Sequence, residues 1–141
     1  MSRIFWDAML IIYLLEDHPT FSKRAEELAA RSRQRADALF TSYLTLGEVL
    51  AGLGKSPDLK KTAAVHETLG EMGFSFLPFD EGAVAPFSML RAAHKLRIAD
   101  SIHLACAASA GIDLFLTGDK QLLKLDIPGI QFIADFNTPI L

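Results

Sequence analysis

The feature that most constrains this chain is a regular alternation of short, almost wholly apolar runs with helix-patterned stretches. Arg3 to Trp6, Ala38 to Tyr43, Gly73 to Phe79, Ile112 to Thr117 and Gly129 to Ala134 read as five strands. Strands that are apolar along their whole length must be covered on both faces. Between them lie helix patterns at Met9 to Leu15, Phe21 to Ala36, Leu46 to Gly52, Leu59 to Met72, Asp80 to about Leu96 and Ala99 to Ala110. Such alternation argues for an α/β fold, a three-layer α/β/α sandwich around a mostly parallel central sheet of about five strands.

Local signals set the expected boundaries. Pro19, after Asp17 and His18, stops the first helix. In the second helix Phe21, Ala25, Leu28 and Ala29 fall on one face and charges on the others. Thr45 followed three residues later by Glu48 has the spacing of a capping box. Asp58 and Asp80 stand where helices should open, and Gly111 where one should close. Asp119 is expected to open a short helix, and Gly52 to Pro57 reads as the most flexible loop.

Composition narrows the class. A chain of 141 residues is about one ordinary domain, and we expect a single unit over 1–141. With 50% hydrophobic and 22% charged residues, disorder and a disulfide scaffold are excluded. Cys106, the only cysteine, cannot form an internal bridge, which suits a reducing compartment. Apolar runs such as Met9 to Leu15 are far short of the ~20 residues a membrane span needs. The first residues also lack a signal-peptide pattern. A soluble, cytoplasmic protein with no membrane partner is expected. The formal charge of −3, from 14 basic and 17 acidic residues, argues at face value against a nucleic-acid partner. Basic clusters at Arg31, Arg33 and Arg35, and at Arg91, Lys95 and Arg97, soften that argument locally.

Four carboxylates stand at the ends of elements. Asp7 follows the first strand and Asp119 the fourth, Glu48 lies early in the helix after the second strand, and Asp100 begins a helix. In open α/β sheets, sites form at the carboxyl ends of strands. Each acid has mainly apolar or small neighbours, and only Lys120 lies directly beside one of them. Taken singly, each could simply cap a helix. Taken together, acids held close repel one another, and a hard divalent ion resolves the repulsion. Mg²⁺ or Mn²⁺ there could activate water and stabilise charge on a phosphate, the chemistry of phosphodiester hydrolysis.

These stretches resemble the motifs of the PIN-domain nucleases. Ile4-Phe5-Trp6-Asp7-Ala8-Met9 resembles the strand-one acid motif, and Thr45-Leu46-Gly47-Glu48-Val49-Leu50-Ala51-Gly52 the second motif. Leu96 to Ala107, containing Arg97-Ile98-Ala99-Asp100, is similar to the third and most specific motif, and Leu114-Phe115-Leu116-Thr117-Gly118-Asp119 to the fourth. The set comes in family order from Ile4 to Asp119, and the length fits a VapC-like toxin of a toxin–antitoxin module. The resemblance implies a Mg²⁺- or Mn²⁺-dependent endoribonuclease with Asp7, Glu48, Asp100 and Asp119 as metal ligands and Thr117 beside the last acid. It also implies an RNA substrate, a small antitoxin protein as partner, and a homodimer. Arg97, three residues before Asp100, is the best placed base for an RNA phosphate.

One position departs from the pattern. Met9 stands where members commonly carry Asn or Ser, and it cannot hydrogen-bond into the acid cluster. Ser42 or Ser101 could substitute. His103, one turn after Asp100, reads as a packing histidine with a hydrogen-bonded ring rather than a ligand, Cys106 as a packed thiol, and Trp6 as strand core. Two alternatives remain open: a housekeeping nuclease of the same fold without an antitoxin, and a catalytically weak binding module, which Met9 favours.

Overall fold

The computed structural model describes residues 1–16, 18–53 and 59–137. Five strands form one sheet: β1 (Arg3–Trp6), β2 (Ala38–Ser42), β3 (Phe74–Leu77), β4 (Ile112–Thr117) and β5 (Ile130–Asp135). Their spatial order is β3-β2-β1-β4-β5, and every pairing is parallel. The chain builds outward from β1 through β2 to β3, then crosses back to lay β4 on the other side of β1. The switch in strand order therefore falls between β1 and β4, where open parallel sheets leave a crevice at their carboxyl ends.

Among the described residues six α-helices cover the sheet: α1 (Ala8–Leu15), α2 (Ser22–Gln34), α3 (Tyr43–Leu53), α4 (Leu59–Glu71), α5 (Glu81–Ala93) and α6 (Ile98–Ala110). Side chains alternate across β1, so Ile4 and Trp6 enter one core and Phe5 the other. The first core sets Trp6 edge-on against Phe74 and takes in Leu10, Ile11 and Leu28 from α1 and α2. The second stacks Phe5 on Phe115 with ring centres 4.8 Å apart and is closed by α5 and α6. Both faces of the central strands β2, β1 and β4 are thus covered, as their apolar runs required, while on the edge strand β5 Phe132 stays 63% exposed. Two glycines are obligatory here. Gly111 ends α6 in the left-handed conformation at φ 69°. Gly129 sits at φ 98°, and a Cβ there would collide with the Ala108 backbone.

Three local expectations need correction. The α3 cap is Ser42, not Thr45: the Thr45 N–H donates to Ser42 Oγ at 3.1 Å, and the buried Thr45 lies inside a helix that starts at Tyr43. No capping box forms, because Glu48 lies a turn further on and bonds elsewhere. Helix α5 ends at Ala93 rather than near Leu96, since the backbone is extended at His94 and Arg91 donates to the Leu96 carbonyl at 2.6 Å. After Asp119 there is only a three-residue 3₁₀ turn, Leu122–Lys124. Asp80 does cap α5, accepting from Gly82 N–H at 3.1 Å. Asp17, the Asp58 cap and most of the Gly52 to Pro57 loop lie outside the described residues. Among the described residues no helix is long and apolar enough to cross a membrane.

Candidate active site

Asp7, Glu48, Asp100 and Asp119 line one cleft of about 260 Å³, together with Arg97 and His103. It lies at the carboxyl ends of β1 and β4, over the switch point. The four acids come from four separate stretches of chain, so the fold itself brings them together.

Two acids are strand-borne. Asp7 leaves β1 with its N–H on the Leu116 carbonyl, 3.0 Å, which fixes the chain where β1 and β4 part. Its side chain caps α1, with Oδ1 accepting from Ala8 N–H at 2.8 Å. Its Oδ2 accepts from the Thr117 hydroxyl at 2.8 Å. That hydroxyl also accepts from the Asp119 N–H at 3.0 Å, so one buried oxygen ties the two strand ends together. Asp119 Oδ1 in turn accepts from Gln121 N–H at 2.9 Å. Hydroxyl and backbone amides hold this pair; among the described residues no full positive charge bonds to either acid. Burial pushes the Asp7 carboxyl above its ordinary value, against the lowering effect of the Thr117 bond.

The other two acids are helix-borne and have strong partners. Arg97 grips Asp100 with two bonds, Nε to Oδ2 at 3.0 Å and Nη2 to Oδ1 at 3.3 Å. The Arg97 side chain is 78% exposed, so this fork is screened by water on its outer side. Arg97 thus supplies the cationic neighbour that adjacent sequence positions had not suggested. His103 Nε2 lies 2.7 Å from Glu48 Oε1. The hydrogen bond from His103 sets the Glu48 carboxyl below its ordinary value, outweighing partial burial.

The remaining expectations separate cleanly. Thr117 is fully buried and reaches the cleft only through Asp7 and Asp119. Met9 lines the cleft, 48% exposed, and makes no polar contact there. Neither serine takes its place against Asp7: Ser101 Oγ donates to the Arg97 carbonyl at 3.1 Å, and Ser42 bonds His103. Trp6 is wholly buried in the core and cannot meet a base. Burial pushes the Cys106 thiol up to about 11, so it is a packed, unreactive group.

The donor set of the cleft suits a divalent ion. Its donors are carboxylate oxygens, the ligands Mg²⁺ and Mn²⁺ take, and the one imidazole is already bonded to Glu48. Among the described residues, two of the acids, Asp7 and Asp119, have no cation hydrogen-bonded to them. Among the described residues no three such side chains are drawn together into a ready-made metal cage. The residues fit the ion chemically.

An α/β sandwich with an acid-lined crevice at its switch point is the class of protein that fold and cleft define. The PIN domain family model matches residues 4–128, and the chain belongs to that family. Its fold is similar to a chain of the DNA-bound VapBC from Salmonella typhimurium, with TM-score 0.69, 21% identity, and coverage of 96% of this chain and 99% of that one. A chain of VapBC2 from Rickettsia felis, bound to a DNA fragment from its promoter, gives TM-score 0.67 at 14% identity, covering 94% and 97%. VapBC-5 from Mycobacterium tuberculosis, a member of the VapBC family of toxin–antitoxin systems, gives TM-score 0.54 at 20% identity, covering 94% and 98%. No curated protein matches the sequence.

Proposed function

We propose that this chain is a divalent-metal-dependent endoribonuclease, a VapC-like toxin held in check by a small antitoxin protein. The observation that carries the reading is the convergence of Asp7, Glu48, Asp100 and Asp119 on one cleft in a PIN domain. These four would hold Mg²⁺ or Mn²⁺. The ion would supply an activated water and charge stabilisation at the scissile phosphate. The chain's own residues arrange the cleft. Thr117 fixes the Asp7 carboxylate and the Asp119 backbone through one hydroxyl. Arg97 lines the cleft with its guanidinium largely in solvent, where a backbone phosphate of RNA can reach it. Met9 leaves that part of the wall apolar.

The antitoxin reading rests on a second surface. An apolar groove of about 240 Å³ runs between α1, α3 and α4, lined by Ile12, Leu15, Val49 and Val65. It shares Ile12 and Glu48 with the acid cleft, so groove and cleft are continuous. An amphipathic segment could bury its apolar face in the groove and pair a basic side chain with the acids. Solved proteins of similar fold are toxin–antitoxin complexes, which favours such a partner for this chain. A cytoplasmic homodimer acting on RNA completes the reading.

The test is cleavage of total RNA by the purified protein. Cleavage should appear with Mg²⁺ or Mn²⁺, stop with a chelator, and be lost in Asp100→Asn while the variant stays folded. Cleavage in chelator, or by Asp100→Asn at the wild-type rate, would sink the assignment.

A further inference from the structure

We infer that Ser42 and His103 are positioning residues that aim the Glu48 carboxylate into the acid cleft. This rests on the metal-dependent reading above and adds two residues to it. Three elements meet in one chain of contacts: Ser42 at the end of β2, His103 on α6 and Glu48 on α3. Ser42 Oγ lies 2.7 Å from His103 Nδ1, and His103 Nε2 lies 2.7 Å from Glu48 Oε1.

The surrounding donors give the chain a direction. Thr45 N–H donates into Ser42 Oγ at 3.1 Å, which occupies one lone pair of that oxygen. The other neighbour of Ser42 Oγ is the Thr45 hydroxyl, at a longer 3.4 Å. Thr45 Oγ1 is itself 2.9 Å from the Thr41 hydroxyl. The Glu48 carboxylate can only accept, so His103 Nε2 carries hydrogen toward it, and in the neutral ring Nδ1 then accepts from the Ser42 hydroxyl. A carboxylate on α3 thus sets the tautomer of a ring on α6, and that ring is anchored on its other nitrogen by the hydroxyl at the end of β2.

Burial separates this from a nucleophile relay. Ser42 and His103 are 1% and 2% exposed, so a phosphate cannot reach the serine. Glu48, by contrast, has a side chain 39% exposed on a helix surface. A glutamate with that much freedom samples many rotamers unless something fixes it. The ring fixes it and ties α3 to the helix that carries Asp100. Met9 adds no polar contact in the cleft, so orientation of Glu48 falls to this buried pair.

The experiment measures Mg²⁺ affinity of wild type, His103→Leu, Glu48→Gln and the double variant, by calorimetry and by melting with and without the ion. Partners that orient metal ligands typically matter by about 10- to 100-fold in affinity. His103→Leu should weaken Mg²⁺ by at least ~10-fold. The double variant should bind no more weakly than Glu48→Gln alone, because the ring acts through that carboxylate. His103→Gln, which keeps an N–H donor, should recover part of the loss. If His103→Leu binds Mg²⁺ like wild type, or its effect persists undiminished in the Glu48→Gln background, the positioning role is wrong. If wild type itself takes up no Mg²⁺, the metal reading falls and the relay with it. Should His103→Leu not fold, ring NMR of wild type and Glu48→Gln decides the point. An Nε2–H tautomer whose proton signal moves on Glu48→Gln supports the relay; a ring indifferent to Glu48→Gln overturns it.

Discussion

The two halves of the acid cleft solve the same problem in different ways. On the helix-borne half each carboxylate has a strong partner, Arg97 for Asp100 and His103 for Glu48. On the strand-borne half, among the described residues, Asp7 and Asp119 hydrogen-bond only to a hydroxyl and backbone amides, and Arg97 acts on them through space alone. The titration shifts follow the same division: Asp7 is raised by burial, Glu48 is lowered by its hydrogen bond. Partial charges at a helix start soften the cost of a buried carboxylate without cancelling it. The unmet demand for positive charge therefore sits at the strand ends, over the switch point. That is where an incoming cation gains most.

The comparison is sharpened first by activity. Asp7→Asn should lower RNA cleavage by ~100-fold or more, since several kcal/mol of charge stabilisation depend on the ion. Glu48→Gln should cost less, about tenfold, because its half already has internal compensation. Single-turnover cleavage rates under identical Mg²⁺ decide this; equal losses would erase the distinction between the halves.

The partner gives the next largest effect. A basic antitoxin side chain paired with the acids should compete with Mg²⁺, and coupling between two ligands is mutual. Calorimetric titration of the proposed antitoxin should be roughly 5-fold weaker or more in millimolar Mg²⁺. Unchanged affinity would mean that the partner blocks RNA without touching the strand-borne acids.

Thr117→Val probes how the strand-borne half is held together. It removes the hydroxyl that donates to Asp7 and accepts from Asp119 N–H, leaving that amide without its acceptor. A loss of about 1–3 kcal/mol is expected from unsatisfied buried groups, read by denaturant unfolding in chelator. A neutral result would mean that the hydroxyl bridge does not organise the two strand ends.

Much of this division was legible in the sequence, though not its sense. The limits of β1 and β4 follow from apolar runs that stop at an acid or just before one; Asp7, Asp100 and Asp119 lie at or near element ends as expected, whereas α3 starts at Tyr43 and puts Glu48 in mid-helix instead of its first turn. The strand-borne half is local chemistry: Asp7 and Asp119 follow their strands directly, and Thr117 precedes Asp119 by two residues. The helix-borne half depends on contacts that periodicity does not encode. Ser42 and His103 are 61 residues apart, and Glu48 and His103 are 55 apart. Thr45 and Glu48 have capping-box spacing, yet Ser42 takes the cap and turns Thr45 inward, since both hydroxyls suit the role and only the packing of α3 on β2 chooses. Arg97 has the right spacing to reach Asp100 across one turn, but spacing alone leaves open whether it meets an acid or a phosphate.

The smallest effect concerns stability without metal. The Asp7 carboxyl is raised in the folded state, so its ionisation opposes folding. That penalty is absent below its ordinary value of 3.8 and fully present once pH exceeds the raised folded value. In chelator at neutral pH, Asp7→Asn should therefore melt above wild type. Asn can still accept from Ala8 N–H as a helix cap. The advantage should shrink as pH falls and vanish near 3.8, where both side chains are neutral. An advantage independent of pH would point to packing instead of charge.

The most direct test of the central claim is the Mg²⁺-induced change in melting temperature of wild type and Asp7→Asn, measured side by side. An ion that binds only the folded protein stabilises it by about 2.7 kcal/mol at a hundredfold excess over its Kd. Wild type should gain several degrees, and Asp7→Asn should lose most of that gain. Equal gains in the two proteins would place the ion away from the strand-borne acids and contradict the account.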